Sequence, residues 1–252
     1  MPARLGPALT RRAAIVMGAA LLACAMSAST ARAQTSARIA ASLSPNRLGS
    51  LGALTLTVRF AEEESGVPAP VRGSILRLPT ELGIEIPELR SCAVARLLAR
   101  GPSGCPPQSR IGAGHALAEA HLGSQAIAES IALWVFVGPP HNLQPSFEIL
   151  GQGYTPFDER MVLTGTVLPD APPYGEDLEI SIPPIHTLPL EPDASILTLS
   201  LSFGAARRAG SHAGNAIRVP RRCPSGGFPF AASFTYADGS SGSASAKTPC
   251  PR

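Results

Sequence analysis

Three polar residues of one segment have a spacing that could support metal or acid–base chemistry. His115, Glu119 and His121 occupy odd-numbered positions, so their side chains would share one face of a β-strand. On that face Glu119 and His121 are near enough in sequence to bind one metal ion. The alternative is the polar outer face of a strand whose even positions hold packed alanine and glycine. Since no third ligand can be identified nearby, this structural interpretation is favoured and no metal is predicted.

A second group of polar residues falls in predicted loops: His141, Asp158, Glu159, Arg160 and Asp170. Two carboxylates in adjacent loops could act as the acid–base pair of a glycoside hydrolase. Surface loops of a β-sandwich carry such groups without any catalytic role, however. The common catalytic signatures, including G-x-S-x-G, H-E-x-x-H, Walker A and G-x-G-x-x-G, do not occur. No catalytic residue and no cofactor are therefore predicted.

The cysteines indicate an oxidising compartment. Cys24 lies in a predicted export signal, and the four that remain form an even set: Cys92, Cys105, Cys223 and Cys250. In an exported chain this predicts two disulfides, with three possible pairings. The local pairs, 92 with 105 and 223 with 250, are favoured, and each should stabilise the fold by about 3 kcal/mol. No C-x-x-C pair of the kind found in zinc sites is present.

The first 33 residues have the composition of an export signal. Three arginines precede an apolar stretch of 16 residues, and Ala31 and Ala33 provide small residues for cleavage before Gln34. The apolar stretch is shorter than the roughly 20 residues that cross a bilayer. The sequence therefore predicts a signal peptide at 1–33 and a secreted chain, free or associated with the cell envelope, with no transmembrane segment after cleavage.

Two details leave the export route open. The pair Arg11-Arg12 has the paired arginines of a twin-arginine signal but no bulky aromatic residue after it. The run Leu21–Cys24 resembles a bacterial lipobox, in which Cys24 would be lipidated and become the new N-terminus. The favoured interpretation is that Cys24 is an ordinary apolar residue of a discarded peptide.

The charge balance gives no support for a polyanion-binding protein. The chain has 21 basic and 18 acidic residues, a net charge of +3. Four of the arginines lie in residues 1–33, so that 17 basic and 18 acidic groups remain, a net charge of −1. With only 5% aromatic residues and no basic cluster, nucleic acid is not an expected partner. The partner or ligand is otherwise unknown.

The hydrophobic pattern predicts an all-β fold. Short β-branched or leucine-rich runs alternate with Pro/Gly turns, which predicts strands at 37–43, 54–60, 71–78, 111–122, 126–137, 146–150, 160–167, 178–182, 196–203, 228–236 and 241–248. One helix of about three turns is predicted between Glu88 and Arg100, with Leu89, Cys92 and Leu97 near one face. Strands without intervening helices indicate one antiparallel β-sandwich domain at 34–252, ending in a disulfide-bracketed hairpin.

Two segments resemble a recurrent pattern of uncharacterised secreted β-rich proteins of high-GC actinobacteria, of the soil thermoleophile type. One is the end of the chain, from Arg218 through Cys223-Pro224 and Asp238-Gly239 to Cys250-Pro251; the other is Cys92 with the segment Cys105–Gly114. The resemblance implies an exported sandwich with two local disulfides. It brings no known activity, cofactor or catalytic residue.

These observations favour an exported, non-catalytic structural or binding β-sandwich. The alternatives are a secreted hydrolase that acts on glycans through loop carboxylates and a lipid-anchored envelope protein. A concave groove with two carboxylates and an exposed aromatic side chain would favour the hydrolase. A flat or convex surface without converging polar groups would favour the non-catalytic protein.

Overall fold

A computed structural model describes residues 37–61, 67–84, 90–122, 125–154, 158–187, 192–204 and 217–251. The chain divides into two units, Met1–Ala33 and Gln34–Arg252, and all of the described residues belong to the second. The predicted signal peptide at 1–33, its cleavage site and the lipidation candidate Cys24 lie outside the described residues.

The described residues form thirteen strands, one α-helix and two short 3-10 helices. The strands are β1 (Ala37–Ser44), β2 (Leu51–Phe60), β3 (Val71–Pro79), β4 (Gly83–Ile84), β5 (Arg110–Leu122), β6 (Gln125–Val137), β7 (Ser146–Gln152), β8 (Arg160–Pro169), β9 (Tyr174–Ser181), β10 (Ser195–Phe203), β11 (Ile217–Arg218), β12 (Phe228–Tyr236) and β13 (Ser241–Thr248). Helix α1 is Val94–Arg100, and the 3-10 helices are Gly101–Gly104 and Pro107–Ser109. The predicted all-β class with one short helix is confirmed.

All of these strands belong to one antiparallel sheet that folds back on itself. The order is β13-β12-β3-β9-β8-β7-β6-β5-β10-β2, after which β1 and the short β11 and β4 extend the β2 end. The folding brings distant strands face to face: the rings of Phe60 in β2 and Phe234 in β12 lie 5.0 Å apart, edge to face. At the two ends of the sheet, the Thr248 hydroxyl of β13 donates a hydrogen bond of 2.7 Å to the Ala41 carbonyl of β1. The result is a sandwich around one core.

Strict alternation along the strands supplies this core. In β12 the even residues from Phe228 to Tyr236 are all buried, whereas Ser233 and Thr235 between them are exposed. Large aromatic side chains contribute most of the apolar area that such a core removes from water. The polar residues between them are left on the outer face of the sheet, where they are free to take part in a site.

Two glycines of β5 permit an unusually close approach of β10. A Cβ atom at Gly114 would lie 2.0 Å from the Ser200 carbonyl oxygen, and one at Gly112 would lie 2.5 Å from that of Ser202. The small residues of this strand predict that another sheet or the helix packs closely against it. For the glycines that reason is wrong, since it is the backbone of the neighbouring strand that leaves no room for a side chain. Ala116, the next even residue, does face the core.

The helix forms a second, smaller layer on the outer face of β6, β7 and the start of β8. It begins at Val94, later than the sequence predicts, and Cys92 therefore precedes it. Leu89, which was predicted near the same face, lies outside the described residues. The Cys92 amide instead donates to the Val137 carbonyl at 2.8 Å, at the end of β6. Leu97 then packs with Cys92 against Phe136 and Leu150, two residues that face away from the main core.

The two local disulfides are confirmed. Cys92 and Cys105 are joined with Cα atoms 5.5 Å apart, and Cys223 and Cys250 with Cα atoms 5.8 Å apart. The first disulfide joins the two ends of the segment that contains α1, and both cysteines pack against Phe136 and Leu150 of the sheet. The second brackets the hairpin of β12 and β13, whose turn is closed by Asp238: its carboxylate accepts hydrogen bonds from the Ser240 amide and hydroxyl at 2.8 and 2.7 Å. Within the described residues no helix is long and apolar enough to cross a membrane.

The contact between β5 and β10 predicts a specific sensitivity to mutation. Gly114→Ala should lower the free energy of unfolding by about 2–3 kcal/mol, because the added methyl group meets a backbone carbonyl that cannot rotate away. Gly83→Ala is the matched control, since its Cβ would meet only the Arg218 side chain, at 4.0 Å. Chemical denaturation of both variants measures the difference; equal stabilities would contradict the close approach.

Candidate functional site

The three candidate metal ligands on β5 do not come together at one point. His115, Glu119 and His121 share the outer face of β5, as the odd spacing predicts, and His121 Nε2 lies 3.3 Å from Glu119 Oε1. His115 is four residues away from Glu119, which corresponds to about 13 Å along a strand. No three His, Cys, Asp or Glu side chains in the described ranges come close enough together to hold a metal ion.

The five loop residues are also dispersed. Arg160 and Asp158 both contact Gln152, at the end of the sandwich where β7 leads into β8. Asp170 lies at the opposite end of β8, 3.6 Å from Arg77 Nε. His141 lies near that same end, in the segment between β6 and β7. The carboxylates of the predicted loop set are therefore not brought to one place.

The structure instead places polar side chains together in a groove on the outer face of β8, β9, β3 and β12. The groove has a volume of about 520 Å³, and six Ser and Thr residues are among those that line it: Ser74, Thr164, Thr166, Ser181, Ser233 and Thr235. Ile75, Glu179, His141 and Arg72 complete much of its lining. A volume of this size is within the range of ligand-binding clefts.

The register of the four strands explains why these residues converge. One row across the sheet runs from Thr235 through Gly73 and Ser181 to Thr164. The neighbouring row runs from Ser233 through Ile75 and Glu179 to Thr166. Directly opposed residues of adjacent strands have Cβ atoms about 5 Å apart, so each row forms a continuous strip. Gly73, which has no side chain, opens the floor of the groove.

The charges of the groove are few and largely compensated. Arg72 at its edge forms an ion pair with Asp193, which also accepts a hydrogen bond from His186 Nδ1 at 2.9 Å. Burial acts to raise the pKa of Asp193, but the hydrogen bonds and charges of Arg72 and His186 outweigh it and hold that pKa below its ordinary value. Glu179 is the one carboxylate among the described residues that line the groove.

A buried carboxylate lies next to the groove, at the end of one row. Glu148 of β7 stands opposite Thr164 and is only 3% exposed. Burial raises its pKa, and the hydrogen bond of 2.8 Å that the Thr164 hydroxyl donates to Glu148 Oε2 partly opposes this. Because that hydrogen bond engages the Thr164 hydroxyl, Glu148 fixes the orientation of one of the groove's donor–acceptor groups.

A second acidic group flanks the groove further along the same face. Asp170 and Asp177 both approach Arg77 Nε, at 3.6 and 3.7 Å. Burial raises the pKa of Asp177, and the hydrogen bond and charge of Asp170 raise it further, while Arg77 acts in the opposite direction. Arg77 also lies over the Tyr174 ring, 5.9 Å from its centre. This group supports the sheet and does not line the groove.

The groove can form many hydrogen bonds but holds no recognisable catalytic pair. Among the described residues that line it, Glu179 is the one carboxylate and no Phe, Tyr or Trp occurs. It therefore lacks both features that were expected of a glycan hydrolase, although it is concave and its polar groups converge. The sequence does not predict it, because β3, β8–β9 and β12 are far apart in the chain. The available signal was the repeated hydroxyl at every second position, Thr164 with Thr166 and Ser233 with Thr235.

No protein-family model, no curated protein and no solved structure matches this chain. A function is therefore inferred from the chemistry of the groove.

The buried Glu148 predicts a pH-dependent stability. A carboxyl whose pKa is raised by folding contributes stability below its unfolded pKa of about 4.3, and this contribution is lost as the pH rises through the folded pKa. Glu148→Gln, which keeps an acceptor for Thr164, should therefore be more stable than the original chain at pH 7 and gain no such advantage near pH 4. Denaturation at both pH values measures the difference.

Asp193 provides the control of opposite sign. Its lowered pKa stabilises the fold above the unfolded value of about 3.9, and that contribution is lost as the pH falls through the folded pKa. Asp193→Asn should thus be less stable than the original chain at pH 7, and the deficit should shrink in acid. The burial argument for Glu148 would be contradicted if both variants changed stability in the same direction at pH 7.

Proposed function

We propose that this protein is an exported, non-catalytic binding protein whose groove on β8, β9, β3 and β12 holds a neutral, hydroxyl-rich ligand of the glycan class. The observation that carries the proposal is the set of hydroxyl side chains that β8, β9 and β12 place on one face, in a groove of about 520 Å³. Each hydroxyl can both donate and accept a hydrogen bond. Such groups match the hydroxyls of a sugar, which have the same dual capacity.

Electrostatics supports a neutral ligand. Arg72 is paired with Asp193, so its positive charge is largely compensated at the edge of the groove. Glu179 adds one negative charge, and His141 contributes an imidazole. An anionic ligand would meet the Glu179 carboxylate without an unengaged arginine to balance it. A strongly cationic ligand would meet only the Glu179 carboxylate among the described lining residues.

Binding is favoured over hydrolysis because of the carboxylate count. Glycoside hydrolysis requires a general acid and a second carboxylate on opposite sides of the scissile bond. Within the part of the chain that the structure describes, no second carboxylate lines the groove beside Glu179, and Glu148 is buried and engaged by Thr164. The hydrolase remains the alternative, and release of reducing sugar from a bound glycan would support it.

The groove proposal is tested by blocking its floor. Gly73→Gln should abolish glycan binding, since its side chain would project from the floor beside Thr235 Oγ1, which lies 3.0 Å from the position of the added Cβ. Gly83→Gln makes the same change away from the groove and should bind as the original chain does. A glycan array selects the ligand, and calorimetric titration with that glycan measures the affinity.

Loss of single hydroxyls gives a graded version of this test. Thr166→Val should weaken glycan binding about fivefold, which corresponds to one hydrogen bond of about 1 kcal/mol. Thr57→Val, on the outer face of β2, is the matched control and should leave the affinity unchanged. If no glycan on the array binds, or if Gly73→Gln binds normally, the groove is not a glycan site.

Export is the second part of the proposal. It is supported by the two disulfides, Cys92–Cys105 and Cys223–Cys250, which persist in oxidising compartments. We interpret residues 1–33 as the signal peptide, in keeping with the resemblance to secreted actinobacterial proteins. Intact-mass measurement of the protein recovered from the culture medium and envelope of its host should give a chain that begins at Gln34. A lipid-modified chain that begins at Cys24 would establish the lipid-anchored alternative instead.

A further inference from the structure

The two rows of residues that cross the groove end differently at its two sides. On the β7 side both rows continue in register, since Glu148 lies opposite Thr164 and Ser146 lies opposite Thr166. Directly opposed residues share one face of a sheet, so Ser146 and Glu148 belong to the outer face. They are nevertheless only 2% and 3% exposed. The rows are therefore covered on this side.

The cover is the segment 138–145, which connects β6 and β7. The Ser146 hydroxyl donates a hydrogen bond of 2.6 Å to the Pro139 carbonyl. A Cβ atom at Gly138 would lie 2.9 Å from Glu148 Oε1 and still closer to Ser146 Oγ. The backbone of the segment therefore lies directly on these two side chains.

His141 makes this segment the end wall of the groove. It is exposed, and it lines the groove together with Thr164 and Thr166. The His141 amide donates to the Gln144 carbonyl at 3.0 Å, and the Gln144 amide donates to the His141 carbonyl at 2.8 Å. The groove is thus closed on its β8 side by a hydrogen-bonded turn, the His141 turn.

On the other side the same two rows run out to the edge of the sheet. In β13, Ser241 lies opposite Thr235, and Ser243 lies opposite Ser233. Both serines are exposed, so the rows are not covered there. Strand β13 stands at one end of the sheet order. From the His141 turn to this open edge the rows cross β8, β9, β3, β12 and β13, a distance of about 19 Å.

We propose that the groove binds the end of an extended, β-linked chain of neutral hexopyranose units. The terminal unit lies against the His141 turn, and the following units cross β9, β3 and β12 and leave the sheet over β13. Each strand holds one unit, because a β-linked pyranose chain advances per unit by a distance close to the strand spacing of about 4.8 Å. An α-1,4-linked chain curls and would leave the rows. This inference rests on the proposed function and adds the linkage, length and direction of the ligand.

Chain length is tested with β-1,4-linked glucose oligosaccharides of two to six units. In calorimetric titrations of the complete, oxidised protein, the affinity should rise up to five units. Each unit that gains one net hydrogen bond should tighten binding about fivefold, and the sixth unit, which lies beyond β13, should add little. Equal affinities for two and five units would overturn the inference.

The closed end is tested by enlarging one end of the five-unit oligosaccharide at a time. A p-nitrophenyl β-glycoside enlarges the reducing end, and a 4,6-O-benzylidene acetal enlarges the non-reducing end. One of the two should abolish binding, because it collides with the His141 turn, and the other should bind normally, because it projects beyond β13. Normal binding of both would show that the chain passes through the groove, and loss of both would show that the groove is closed on both sides. Either result would overturn the inference.

Substitutions at the two ends locate the terminal unit. His141→Ala should weaken binding of the two-unit and five-unit oligosaccharides by the same factor, about fivefold, because both contain that unit. Ser243→Ala should weaken binding of the five-unit oligosaccharide alone. Ser245→Ala is its matched control, since this serine is exposed on the same strand but lies outside the two rows. An equal effect of Ser243→Ala on both lengths, or no effect of His141→Ala on either, would overturn the assignment of the ends.

Failure of this inference is distinguishable from failure of the proposed function. If no glycan on the array binds, the groove is not a glycan site at all. If an array glycan binds and Gly73→Gln abolishes its binding, while none of the glucose oligosaccharides binds, the groove is a glycan site and the extended β-linked chain is wrong.

Discussion

Everything in this molecule depends on the closure of one continuous antiparallel sheet over a single core. Because β2 and β12 lie far apart in the sheet order and yet pack Phe60 against Phe234, neither half of the sandwich has a core of its own. Every second residue of each long strand must therefore point into this shared core. A strand that shifted by one residue would expose its apolar side chains and bury its polar ones. The register is consequently fixed by burial across the whole sheet.

The same constraint determines which outer faces are free. Where β6 and β7 carry Phe136 and Leu150 outward, the helical layer covers them, and the Cys92–Cys105 disulfide holds it in place. On the other side, β8, β9 and β12 present hydroxyls and β3 presents Gly73 and Ile75, so that this face carries much less apolar side-chain surface. A groove remains there because Gly73 contributes no side chain to its floor. The difference between a covered and an open face thus follows from which residue types occupy the outward positions.

The sequence predicts most of the strands, and the failures have physical causes. Alternation and turn residues identify every strand of seven residues or more, whereas β4 and β11 contain two residues each and have no detectable period. The start of α1 was misplaced because Ala93 remains extended and no side chain caps the helix, so no capping signal marks its beginning. Spacing and compartment predicted both disulfides. The groove could not be predicted, since it depends on pairing between strands that are distant in sequence.

Strand β8 shows how one short segment can serve two chemically different environments. Its odd residues Met161 and Leu163 face the apolar interior, and its even residues Thr164 and Thr166 face the groove. The period of two residues that builds the sheet therefore also separates the core from the groove by the thickness of a single strand. A change of register in β8 would disturb both faces, because both depend on the same pairing. Substitution of a groove residue from the outer face leaves that register unchanged, so the groove can be altered without altering the core.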